Sequence, residues 1–336
     1  MRDRPEGVEE RELRLALADG WHIYADAMRY APVGGGSYHW VVRDGQEGAW
    51  FVTVDDLDDK SWLGDTRAAV GAGLRSAMDT AVALRHNAGL RFVVAPIPAV
   101  HGETVLPIGS KYAVAVFPFI HGASGRFGQD LPAAERGEVV KMLAALHRAT
   151  PTATQAPVAL TGLPLRGVVE IALSELDQPW CGGPLSEPAR ALLASTAGHI
   201  RRLLETFDQL AEHVAAAPEP VITHGEPHPA NIIRAGASRM LIDWDTVGMA
   251  QPERDLWMVV TDTGDEARRY TEATRRAVDP AALAFYRLRW ALFDISAFTN
   301  RLRYRHRRTA DAERAWQGLK DTLAGTAAYT ARIIPP

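Results

Sequence analysis

Apolar and polar positions alternate over Tyr38–Arg43, with Tyr38, Trp40 and Val42 on one face and Val41 on the other, which predicts a strand. Residues 50–54 predict a second strand. The Asp44-Gly45 turn signal between them predicts a hairpin with a connection of about six residues. The period then changes. Val70, Leu74, Ala77, Ala81 and Leu84 recur at steps of three and four, so residues 66–88 predict a helix, with Asp65 as its cap and Gly89 at its stop. Residues 91–95 and 113–117 are apolar runs of strand length. The second ends in Pro118-Phe119-Ile120-His121-Gly122, where proline and glycine break the pattern and a hinge between two lobes is expected.

Beyond this point the three- and four-residue steps dominate. Residues 132–147 carry Val139, Leu143 and Leu146 on one face. Ser186 is expected to cap a long helix carrying Leu193, Ile200, Leu203, Phe207, Leu210 and Val214. The threonine-, alanine- and proline-rich stretch 151–164 between them predicts a loop. A short β insert follows, with strands at Val221–Thr223, 232–234 and 240–242, before helices resume near Glu253. A β-rich first third with one helix, then a helical body with an embedded hairpin, is an α+β arrangement.

Composition adds boundaries. The chain has 336 residues, 47% apolar and 23% charged, enough for two lobes with their own cores. A net charge of −4 argues against a nucleic acid or a membrane held by bulk charge. The single cysteine, Cys181, rules out a disulfide framework and a multi-cysteine metal site. The charged first twelve residues lack a signal peptide's apolar core, and no apolar run reaches membrane-spanning length, so a cytoplasmic protein is expected. Lysine occurs only at positions 60, 111, 141 and 320.

The densest polar constellation is His224-Gly225-Glu226-Pro227-His228-Pro229-Ala230-Asn231, followed by Ile242-Asp243-Trp244-Asp245. Each half follows a short apolar strand, which places polar groups at the rim of a core. An amide and a carboxylate on paired strands offer two hard oxygen ligands of the kind magnesium takes while keeping waters and phosphate oxygens. Glu226, five residues before Asn231, can face a substrate hydroxyl. The His-x-Glu-x-His string does not predict zinc, because Pro227 and Pro229 forbid the helix that would align the two histidines.

This spacing resembles the aminoglycoside phosphotransferase family, relatives of the protein kinases, and within it the spectinomycin-type enzymes. The resemblance implies a bilobal protein-kinase-like α+β fold: a nucleotide-binding lobe over residues 1–119 and a helical lobe over 120–336 holding the catalytic loop and acceptor site. It implies ATP and Mg2+ as cofactors, Asn231 and Asp243 as metal ligands, Glu226 in the place of the catalytic aspartate, and His224 as a buried organiser of the loop. Gly34, Gly35, Gly36 and Ser37 resemble the phosphate-covering loop, and Pro118, Phe119 and Ile120 the adenine hinge. Glu253-Arg254-Asp255-Leu256 resembles the segment that locks the catalytic loop.

Two departures stand out. The catalytic position holds glutamate rather than aspartate. The position of the phosphate-binding lysine holds Thr53, and its acidic partner is missing as well, since no glutamate occurs between Glu47 and Glu103. Lys60, Lys111 or an arginine such as Arg75 is left to supply the charge.

The implied reaction is phosphorylation of a hydroxyl on a small, polar, cationic aminoglycoside or aminocyclitol antibiotic. Acidic residues should then line the acceptor site, with Glu175, Asp177, Asp262 and Asp265 as candidates by position. Two other readings remain beside it: a metabolic small-molecule kinase, and a catalytically silent nucleotide- or ligand-binding protein of the same fold, which the two missing charges favour.

Overall fold

The computed structural model describes residues 1–45, 48–215 and 219–333, with side chains as far as residue 326. Two compact units emerge, one of Met1–Ala159 with Pro218–Asp279 and one of Leu160–Ala217 with Pro280–Pro336.

The first unit is built on a five-stranded antiparallel sheet in the order β1-β2-β3-β5-β4. Its strands are β1 (Ala27–Tyr30), β2 (Tyr38–Arg43), β3 (Ala49–Asp56), β4 (Leu106–Ile108) and β5 (Tyr112–Pro118). Side chains alternate across each strand, and the two faces are covered by different helices. Helix α1 (Glu10–Trp21) lays Leu13 and Leu17 on Trp40, Val42, Val52, Val54, Val114 and Val116. Helix α2 (Arg67–His86) lays Leu74 and Met78 on Phe51, Ala113, Ala115 and Phe117. Burying each large aliphatic side chain contributes about 1.5–3 kcal/mol, so both helices are held mainly by this packing.

Several expectations need correcting here. The first third has two helices, since α1 was hidden in a charged segment. Thr66, and not Asp65, caps α2, its hydroxyl accepting the Ala69 N–H at 3.2 Å. Residues 91–95 form no strand: Val93 makes one isolated bridge to Leu241, with the Leu241 N–H donating to Phe92 and the Val94 N–H to Leu241. The β2–β3 turn includes residues 46 and 47, which lie outside the described residues.

The expected β insert resolves into two small sheets. Strand β6 (Ala123–Ser124) pairs with β8 (Ile232–Ala235), which pairs with β9 (Ser238–Leu241). Gly122 permits the approach of β6, because a side chain there would strike the Arg234 carbonyl. Strand β7 (Val221–Thr223) pairs instead with β10 (Gly248–Ala250). Helices α3 (Ala133–Arg148), α6 (Glu253–Leu256) and α7 (Asp265–Thr274) complete this unit.

The second unit consists of α4 (Arg166–Ser174), α5 (Ser186–Ala215), α8 (Pro280–Arg303) and α9 (Ala310–Ile333), with α8 packed against the other three. Phe207 of α5 stacks on Phe285 of α8 at 5.2 Å between ring centres. Ser186 opens α5 but does not use its hydroxyl as a cap; the hydroxyl donates to the Leu302 carbonyl at 2.7 Å. No described helix is long and apolar enough to cross a membrane.

Candidate active site

The loop after β7 is held from below by one buried carboxylate. Asp255 on α6 accepts the backbone N–H of His224 at 2.9 Å and of Gly225 at 2.6 Å. Its Oδ2 also meets His147 Nε2 at 3.0 Å, and the other ring nitrogen of His147 lies 2.7 Å from the Tyr270 hydroxyl. Burial works against the Asp255 charge, but the His147 contact and nearby positive groups outweigh it and hold the carboxyl below its usual range. Gly225 sits at φ +98 with the Arg254 guanidinium filling the space a side chain would need. That guanidinium donates to Thr223 Oγ1 at 2.8 Å and to the Thr246 carbonyl at 2.7 Å.

His224 is buried and joins the two motifs. Its Nδ1 accepts the Glu226 N–H at 3.1 Å, so the proton rides on Nε2, which donates to the Ile242 carbonyl at 2.9 Å. Desolvation pushes the imidazole down to about 4, so the ring is neutral at physiological pH. Both nitrogens are engaged, which leaves none for a metal. His228, also pushed down to about 4 by burial, lies 3.9 Å from the half-buried Glu226 carboxylate. Asn231 donates Nδ2 to the Glu226 carbonyl at 3.0 Å, and its own carbonyl accepts the Ile242 N–H at 3.0 Å. The loop and the end of the β8–β9 hairpin are therefore one hydrogen-bonded body.

Asp243 follows that hairpin at φ +69, a left-handed conformation uncommon for a residue with a side chain. Its carboxyl is raised, first by the protein packed around it and then by the Asp245 carboxylate; water on its open side screens part of this effect. Trp244 packs edge-on beneath the His224 ring at 4.6 Å.

A feature that sequence reasoning did not place completes the site. The Lys60 ammonium, fully buried, pairs with Asp55 at 3.0 Å and with Asp245, and donates to Ser37 Oγ at 3.2 Å. Ser37 in turn donates to Asp55 at 2.6 Å. Burial opposes the Lys60 charge, but Asp245 and Asp55 outweigh it and keep the amine protonated. Burial and Asp245 raise the Asp55 carboxyl while Lys60 opposes them. Asp55 and Asp245 pair with one ammonium, and Asp243 acts on it electrostatically. The Asp243 carboxylate and the Asn231 amide are oxygen donors of the hard kind Mg2+ takes, while among the described residues no group of three or more acidic, histidine or cysteine side chains is placed to hold a metal ion.

The remaining expected residues fall as follows. Gly34, at φ +67, Gly35, Gly36 and Ser37 form the link between β1 and β2. Thr53 lies mid-strand, its hydroxyl 3.2 Å from His39 Nδ1. Pro118 closes β5 opposite Trp50, the Phe119 N–H donates to Ala49 at 3.2 Å, and Ile120 packs against the same core cluster as Met240 and Ile242. Of the acceptor candidates, Glu175 and Asp177 belong to the second unit, where Glu175 pairs with Arg303; Asp262 and Asp265 are exposed on the first, where Asp265 pairs with Arg268 at 3.0 Å. Asp55 lies one residue beyond the strand expected at 50–54; the observed β3 runs on to Asp56 and puts Asp55 on the same face as Thr53.

A sheet lobe with a glycine link, a loop carrying an acid and an asparagine, and a following aspartate define a kinase-like phosphotransferase. The chain belongs to the phosphotransferase enzyme family APH, whose sequence profile matches residues 30–294. It is an enzyme of phosphoryl transfer to alcohol groups, with a protein-kinase-like α+β fold. Protein StrN of Streptomyces griseus is 29% identical over 249 residues, covering 70% of this chain and 73% of that protein. The structure of a spectinomycin phosphotransferase with ADP and spectinomycin superposes with a TM-score of 0.72 at 18% identity, covering 94% of this chain and 95% of that one. A microcompartment-associated aminopropanol kinase gives a TM-score of 0.63 at 17% identity, with 96% and 98% covered. At these identities the two structures share the fold.

Proposed function

We propose that this protein transfers the γ-phosphoryl group of ATP to a hydroxyl of a small cationic acceptor, an aminoglycoside or aminocyclitol antibiotic, and thereby inactivates it. The observation that carries the reading is the hydrogen bonding that joins the loop of Glu226 and Asn231 to Ile242, the residue before Asp243. Glu226 orients the acceptor hydroxyl and takes its proton as the oxygen bonds to the γ-phosphorus and the bond to ADP breaks. His224, neutral and doubly bonded, keeps the Glu226 backbone in place. Asn231 and Asp243 hold Mg2+, which when bound neutralises phosphate oxygens. The Gly34–Ser37 link covers the phosphates, and Pro118 to Ile120 receive the adenine. Such catalysis is mostly positioning and charge stabilisation.

The acceptor class is supported by the spectinomycin enzyme among the structural relatives and by the negative charge of the chain. Glu175, Asp177, Asp262 and Asp265 remain the candidates to meet an acceptor's ammonium groups. An aminopropanol kinase among the relatives supports a second reading, phosphorylation of a small metabolic amino alcohol. A cytoplasmic site of action fits the lone exposed Cys181. Neither a nucleic acid nor a membrane is part of this reading.

Measuring ADP release across a panel of aminoglycosides, aminocyclitols and short amino alcohols tests it. Turnover with an antibiotic supports the first reading and turnover with an amino alcohol alone the second. No turnover, together with no magnesium-dependent thermal shift by ATP, would sink both in favour of a silent binding protein.

A further inference from the structure

We propose that Lys60 is the phosphate-binding cation of this enzyme, moved from the middle of strand β3 to the loop that follows it, with Asp55 of β3 as its acidic partner. This rests on the phosphoryl-transfer reading above and adds a residue to it. The ion pair expected between a strand lysine and a helix glutamate is present in reversed order, acid on the strand and lysine after it. Thr53 and Asp55 are two residues apart in β3 and so share a face of the sheet, the one that packs on α2 through Phe51. The Lys60 side chain returns from the loop to that face.

Three contacts tie the ammonium to the nucleotide site. Ser37, the last residue of the glycine link, receives one of its N–H groups; Asp55 receives another; Asp245, two residues beyond Asp243, receives the third. A phosphate oxygen beneath the glycine link competes with Asp245 for the third N–H. An ammonium fixed by a serine and one carboxylate, with its remaining donor on an exchangeable partner, is prepared to clamp an anion without reorganising.

The other cations do not fit this place. Lys111 binds Asp56 at 2.7 Å. Asp56 falls on the opposite face of β3, the one with Val52 and Val54, and the Lys111 side chain is partly exposed. Among the described residues Arg75 makes no ion pair with Asp55, Asp243 or Asp245. A purely structural lysine is the competing explanation, and it predicts no contact with nucleotide phosphates.

The chain has four lysines, so the test is direct. The intact protein is treated with an acyl phosphate of ATP, which hands its acyl group to an amine lying against the phosphates, and the modified lysine is located by mass spectrometry. Acylation of Lys60, suppressed by excess ATP, is the expected result. ATP-protected acylation of Lys111 instead, or of no lysine in a protein that binds ATP, overturns the proposal while leaving the phosphoryl-transfer reading intact. A protein that binds no ATP in calorimetry overturns both. As a second arm, Lys60→Met is combined with Asp55→Asn, so that the more deeply buried of its two carboxylate partners is not left charged and unpaired. Its affinity for ADP should fall at least tenfold while that for adenosine is unchanged; an ADP-to-adenosine ratio equal to the wild type's also overturns the proposal. If the double variant does not fold, the acylation result decides.

Discussion

The carboxylate of Asp255 accepts the backbone N–H of His224 at 2.9 Å, across 31 residues of sequence. That bond, with its neighbours at Gly225 and His147, makes the conformation of the proposed catalytic loop a property of the core beneath it. Asp255→Asn offers one acceptor where three donors converge and places an amide against them. We expect a loss of about 3 kcal/mol, read from urea unfolding, and a fall in kcat larger than any change in KM.

Glu226 is half-buried, and its carboxylate is proposed to receive the acceptor's proton. Glu226→Gln keeps the size and removes the base. Turnover should drop by about 10²–10⁴, while the thermal shift produced by ATP with magnesium stays as in the wild type. A variant with near-normal kcat would remove Glu226 from the mechanism.

Asp243 combines a left-handed backbone with a place among three carboxylates. Asn adopts that backbone region more readily and carries no charge. Asp243→Asn should therefore leave the metal-free protein as stable as the wild type or up to about 1 kcal/mol more stable. The same variant should lose turnover and the magnesium-dependent part of the ATP thermal shift. A metal-free melting temperature well below the wild type's would show that Asp243 is structural.

Gly225→Ala places a methyl group at φ +98 against the Arg254 guanidinium. The strain and the displaced arginine should cost about 1–3 kcal/mol, measured as a drop in the unfolding midpoint, and turnover should fall with it.

His39 governs a pH window. Burial, then the charges of the amino terminus and Lys60, push its imidazole down to about 3, below the ordinary 6.5. Between those values the unfolded chain takes up a proton that the folded protein refuses. Stability from this residue is therefore present above pH 6.5 and is lost as the pH falls toward 3, by about 1.4 kcal/mol per pH unit within the window. His224 and His228 act in the same direction between 6.5 and about 4. His39→Phe keeps a ring against Phe51, on which His39 now stacks at 4.9 Å, and removes the titration. Its stability should fall less steeply on acidification, as followed by denaturant unfolding at pH 4 to 7.

Much of the architecture was legible before any coordinates. Strand β2 begins and ends where its alternation does, and α2 runs within a residue or two of its apolar steps. His224, Glu226, Asn231 and Asp243 stood out because polar residues clustered after two short apolar strands, and the structure does bring their loop and hairpin together. Helix α1 was missed because its buried stripe rests on little more than Leu13 and Leu17 within a charged segment. The apolar run at 91–95 was misread because period alone cannot say whether backbone groups find a sheet or, as here, the lone edge of a hairpin at Leu241.

By itself, then, the order of residues determined which faces are apolar, where turns fall and which short motifs carry oxygen ligands, because these depend on neighbours a few positions apart. Only the tertiary structure decided the charge balance of the site. Lys60 and Asp245 are 185 residues apart, Ser37 precedes β2 while Asp55 lies in β3, and no local pattern links them. Electrostatic partners are chosen by distance and burial in three dimensions, and a lysine missing from one strand position can be supplied by any loop that reaches the same face.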